Sequence, residues 1–162
     1  MTRRLLLAAA VCLALAAASL AIAAEPVYDA WSWLVWGREL TDVELDMTTG
    51  PSWKPLPVIL AAVLSHAGDG APALWLVLMR VAWLASLALA AELAVQLTAG
   101  RPRALRAAAG AFAAGCIVLL SDEVTQWTRQ VAGGMSEPLL VALCLGAVRA
   151  GLGDRVRTAL VL

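Results

Sequence analysis

The chain has 162 residues, of which 62% are hydrophobic and only 15% charged. A soluble domain is about 45–50% apolar and about 25% charged, and one of roughly 150 residues still leaves about a third of its surface wet. The composition therefore excludes disorder and points to a membrane protein. Twelve bases balance twelve acids, and the arginines lie scattered between apolar runs, so nothing suggests nucleic-acid binding. Cys12, Cys116 and Cys144 sit apart inside apolar stretches, as small helix residues do.

Leu5 to Ala24 is an uncharged run after Arg3 and Arg4, long enough to cross a hydrocarbon core of about 30 Å. A signal peptide shares this look, but the run is long for a signal core, which favours an uncleaved first span. Pro26 breaks it. Tyr28 to Leu40 then reads as a short helix bearing Trp31, Trp33 and Trp36, the kind of helix that sits at headgroup level. Residues 41–50 are polar and end in the turn signal Gly50-Pro51.

Pro55 to Ser65 is too short to span and reads as a second juxtamembrane or re-entrant helix. Gly68-Asp69-Gly70 turns the chain into a second span, 72–97, interrupted by Arg80 and Glu92. Gly100-Arg101-Pro102-Arg103 is a basic turn before an Ala/Gly-rich third span, 104–120. A second outside loop, 121–137, carries Asp122, Glu123, Arg129 and Glu137. A fourth span covers about 138–152, and a new apolar run opens at Thr158. The sequence thus predicts an N-terminal fragment, 1–162, of a longer polytopic protein with an incomplete fifth span.

With the N-terminus cytoplasmic, eight bases (Arg3, Arg4, Arg101, Arg103, Arg106, Arg149, Arg155, Arg157) fall inside and three (Arg38, Lys54, Arg129) outside. That is the arrangement the positive-inside rule demands. Ten of the twelve acids fall outside, all but Glu92 and Asp154, so the polar chemistry is concentrated on the extracytoplasmic face.

Asp29 is the first candidate for chemistry. Positions 29, 33, 36 and 40 share a helix face. A carboxylate among aromatics at a membrane surface loses hydration and becomes a stronger base; the plainer role is an acid at a helix N-terminus. Asp122, Glu123 and Glu137 form a second acidic set, able to hold a divalent cation or orient a hydroxyl, or simply to solvate a loop. Arg80 lies eight residues into the second span, about 12 Å deep, where a charge needs a polar partner such as a lipid phosphate or must snorkel. Glu92, near the inner end of that span, is expected to snorkel. Lys54, between Trp53 and Pro55, is held at the membrane surface for phosphate or headgroup binding.

Tyr28-Asp29-Ala30-Trp31, Trp36-Gly37-Arg38-Glu39-Leu40, Gly50-Pro51-Ser52-Trp53-Lys54-Pro55-Leu56-Pro57 and Gly134-Met135-Ser136-Glu137-Pro138-Leu139 follow one another in an order that resembles the N-terminal part of actinobacterial GT-C-like polytopic membrane glycosyltransferases, the dolichyl/polyprenyl-phosphate mannosyltransferase-like superfamily. The resemblance implies an acid in the first extracytoplasmic loop as general base or ligand of a divalent metal (Mg or Mn), and the matching position is Asp29. Many members carry two adjacent acids there; here Ala30 follows, so Glu123 or Asp122 is the implied second carboxylate. Lys54 and Arg80 are then candidates for the lipid phosphate, with Glu137 and Trp33 as further substrate-binding positions.

The expected fold is all-α, a polytopic transmembrane bundle with juxtamembrane helices in its first extracytoplasmic loop. The expected activity is transfer of a sugar from a polyprenyl-phosphate donor to an acceptor hydroxyl outside the plasma membrane. The expected partners are the lipid bilayer and the polyprenyl-phosphate sugar. The alternatives are a non-catalytic transporter part or scaffold, and an inactive truncated product.

Overall fold

A computed structural model of the chain describes residues 3–22, 24–119 and 131–159. The described residues are helical, with no strand among them. Six α-helices follow in order: α1 (Arg3–Ala18), α2 (Tyr28–Asp42), α3 (Pro55–Ser65), α4 (Ala71–Leu97), α5 (Arg103–Leu119) and α6 (Glu137–Ala159). One of them is long and apolar enough to cross a membrane, the 30-residue stretch Gly68–Leu97 that contains α4. The first helix stops at Ala18 and tightens into a 3₁₀ turn, Ser19–Ala21, before Ile22 turns extended. Ser19 marks the change, because its hydroxyl donates to the Ala16 carbonyl at 2.6 Å. Such back-bonding competes with the helical ladder.

The chain packs as two compact units, the first including residues up to Val81 together with 131–136, the second beginning at Ala82. In the first, α2 packs on α3. They approach tightly at Gly37, where a Cβ would stand 2.6 Å from the backbone of Ala61 and Ala62. Only glycine admits so close a crossing. α3 is a helix because Pro55 stands in its first turn, where a missing N–H is no loss. Its buried face is Pro57, Val58 and Ala61.

α2 ends abruptly. Val43 adopts φ 61° and ψ 30°, and its N–H donates to the Glu39 carbonyl. A left-handed C-terminal residue ends helices well when it is Gly; a β-branched residue there is strained. The polar stretch that follows is tied back by Trp36, whose Nε1–H donates to the Asp46 carbonyl at 2.9 Å. Gly50, at φ +126°, lays its Cα against the same indole.

In the second unit, Gly110 on α5 faces Ala91 and Val95 of α4, and a Cβ there would sit 3.0 Å from Val95 Cγ2. The Ala/Gly content of α5 thus serves close helix packing, as in membrane bundles. Two expectations change here. Glu92 does not snorkel alone: it accepts from Arg149 Nε at 2.8 Å and from Gln96 Nε2 at 3.0 Å. α6 runs unbroken to Ala159, so Thr158 continues that helix where the sequence suggested a new one. Its backbone ladder continues through Asp154 and Arg155.

Candidate functional site

The organising feature of the first unit is the short segment 131–136. Four partners from distant parts of the chain reach it. Val27 N–H donates to the Gly133 carbonyl at 2.8 Å, and Trp75 Nε1–H to the Gly134 carbonyl at 2.8 Å. Arg80 donates from one terminal nitrogen to the Ala132 carbonyl at 3.1 Å, and Lys54 Nζ reaches the Ser136 hydroxyl at 3.5 Å. Gly134 makes this possible. Its φ is +78°, and a Cβ would lie 2.8 Å from the Trp75 indole, so a side chain is excluded both by backbone conformation and by space.

Lys54 and Arg80, separate in sequence, are therefore tied to positions four residues apart, about 14 Å at the most by chain length. Lys54 also stands over the Trp33 ring, its ammonium 4.9 Å from the centroid. A cation over an indole face is attracted by the ring quadrupole, by about 0.5–2 kcal/mol depending on desolvation. Trp33 in turn packs on Trp75, with ring centroids 6.0 Å apart and planes tilted by 57°.

Arg80 is 7% exposed. Its second terminal nitrogen donates to Ser19 Oγ at 2.8 Å. Both of its partners are neutral, and among the described residues no carboxylate lies within ion-pair distance. A buried cation whose described partners are all neutral is costly unless an anion meets it. The Trp33 indole N–H is also buried without an acceptor among the described residues, at a cost of about 1–3 kcal/mol.

The remaining candidates divide. Trp33 is fully buried, beneath Lys54 and against Trp75, so it supports the site and cannot itself line a binding surface. Trp36 is buried too, and of the three α2 tryptophans only Trp31, 41% exposed, fits the headgroup-level reading. Trp33 and Trp36 are core residues because Trp75 of α4 packs on the first and Trp53 with the 46–50 turn packs on the second, which helix periodicity alone does not reveal. Asp29 is half-buried in the first turn of α2 and makes no hydrogen bond or ion pair with a described residue. Glu137 opens α6, where an acid meets the helix dipole favourably. Asp122 and Glu123 lie outside the described residues.

Among the described residues no three of His, Cys, Asp or Glu gather where one ion could reach them. The residues that sequence reasoning missed are Ser19, Trp75, Ala132 and Gly134. The signal for them is faint, being a Gly-Gly pair after a loop and a tryptophan at the start of a span.

Among the described residues these features define an all-helical protein with one candidate membrane-crossing helix and two cations, Arg80 and Lys54, bonded to its 131–136 segment. No family model, curated protein or solved structure matches the chain.

Proposed function

We propose that the chain forms part of a multi-pass membrane glycosyltransferase that moves a sugar from a polyprenyl-phosphate donor to an acceptor hydroxyl on the extracytoplasmic face. The observation that carries this reading is the pair of cations on one segment, Arg80 buried with neutral partners and Lys54 at Ser136. Such an arrangement suits a phosphate that gains charge as it leaves. Arg80 donors, the Lys54 ammonium and the Ser136 hydroxyl would stabilise that charge most strongly once it has developed.

Asp29 is the base in this reading. It takes the proton of the acceptor hydroxyl while that oxygen bonds to the anomeric carbon. The bond from that carbon to the phosphate oxygen breaks, its electron pair stays with the phosphate, and the configuration inverts. The chain crosses the plasma membrane with its N-terminus inside, which agrees with the distribution of bases between the loops.

The test uses membranes containing the full-length gene product and a radiolabelled polyprenyl-phosphate sugar. Asp29→Asn should abolish transfer, and Lys54→Gln should reduce it, with membrane integration unchanged in both. Normal turnover by Asp29→Asn overturns the catalytic assignment. The second reading, a non-catalytic polytopic protein, is favoured by the lack of any described partner that orients Asp29.

A further inference from the structure

A groove of about 350 Å³, lined by no residue of the 131–136 segment, lies on the first unit between α2 and the start of α4. Its polar lining is Arg38, Asp69 and Ser65, and its apolar lining includes Trp31, Leu34 and Pro72. Arg38 and Asp69 are exposed and, although they line one groove, they form no ion pair with each other or with another described residue. The groove therefore carries both a cation and an anion in a lining that is otherwise largely apolar.

Its position matters equally. Gly68, Asp69, Ala71 and Pro72 are the first residues of the stretch long and apolar enough to cross a membrane. On the reading that this stretch spans, the groove opens at the boundary between headgroups and hydrocarbon. Trp31, 41% exposed, suits that level, with an apolar ring and a polar N–H. A neighbouring groove of about 250 Å³, lined by Glu39 and Asp46 and by no cation, offers nothing to a phosphate.

We propose that the Arg38–Asp69 groove is a headgroup site for a phospholipid bearing a primary ammonium, as phosphatidylethanolamine does. Arg38 donates to the phosphate, and Asp69 accepts from the ammonium. Leu34, Pro72 and the Trp31 ring cover the glycerol end. A quaternary ammonium has no N–H to give Asp69, so the site discriminates between two headgroups of equal net charge.

The experiment reconstitutes the full chain in phosphatidylcholine vesicles with traces of spin-labelled phosphatidylethanolamine, phosphatidylcholine or phosphatidylglycerol, and measures the immobilised fraction. The ethanolamine lipid should associate about fivefold more strongly than the choline lipid, the scale of one charge-assisted contact. Asp69→Asn and Arg38→Gln, both at exposed positions, should each remove that preference.

Equal association of the two lipids, or a preference that survives Asp69→Asn, overturns the proposal. So does tightest binding of the glycerol lipid, which would mark a simple anion site at Arg38. Displacement of the bound label by a soluble oligosaccharide would assign the groove to carbohydrate instead. Alkaline extraction separates the two levels of the argument. A chain washed out of membranes defeats the membrane reading as well, whereas a chain that stays but shows no headgroup preference defeats the groove alone.

Discussion

Arg149 Nε donates to Glu92 Oε2 at 2.8 Å, joining α6 to α4 across 57 residues of sequence. Both side chains keep about a third of their surface exposed, at 31% and 36%, so water screens the pair, and its coupling should be about 1 kcal/mol or less. A double-mutant cycle with Glu92→Gln and Arg149→Gln, read by thermal unfolding in detergent, measures that coupling. It should be favourable and should shrink as salt rises. Additive single effects would mean that the contact contributes nothing.

Val43 offers the opposite case, a residue that costs stability where it stands. Its φ of 61° is strained for a β-branched side chain, and that side chain is 90% exposed, so packing returns little. Val43→Gly should stabilise the protein by about 1 kcal/mol. A drop in the unfolding midpoint would show that the exposed valine has a partner of its own, such as lipid.

At the 131–136 segment the sign reverses. Gly134→Ala would force a Cβ to within 2.8 Å of the Trp75 indole at a φ of +78°. It should destabilise the chain by about 1–3 kcal/mol. Trp75→Phe keeps a ring but removes the donor to the buried Gly134 carbonyl, also costing about 1–3 kcal/mol. Because Arg80 and Lys54 hold the same segment, either change should also loosen those two contacts. Side-chain NMR of Lys54 would register this as loss of the ring-current shift from Trp33.

Asp46 supplies a pH test. Its side chain accepts from the Thr48 hydroxyl at 2.6 Å and from the Thr48 N–H at 2.8 Å, and these two bonds hold its carboxyl below the ordinary 3.8. A carboxylate with a lowered folded value contributes stability above its unfolded value, and the contribution is lost as the pH falls through the folded one. The 46–50 turn should therefore stay ordered at pH 5 and loosen below the usual aspartate range. Thr48→Val should move the Asp46 titration midpoint upward by NMR. No movement would detach the turn from this pair of bonds.

Much of the helical order is written locally. Pro55 at a helix start, the Gly50-Pro51 and Gly68-Asp69-Gly70 turns and the long apolar run after Ala71 each act within a few residues. They predicted α2, α3 and α4 to within two residues or fewer at each end. The candidate site was only partly legible. Lys54 and Arg80 stood out because charge is rare in such surroundings, but nothing in the sequence said that they share a segment.

Composition and periodicity thus determined by themselves that the described residues are helical and that 72–97, one of the four spans read from the sequence, is long and apolar enough to cross a membrane, because those properties depend on hydropathy and on backbone preferences of neighbouring residues. Tertiary structure decided the rest. It made Trp33 a buried support for Lys54, gave Arg80 the Ser19 hydroxyl and the Ala132 carbonyl, and gave Glu92 an ion pair with Arg149. These pairings span 21 to 61 residues of chain. Contacts of that range are set by which helix faces meet, and a one-dimensional pattern carries no record of that choice.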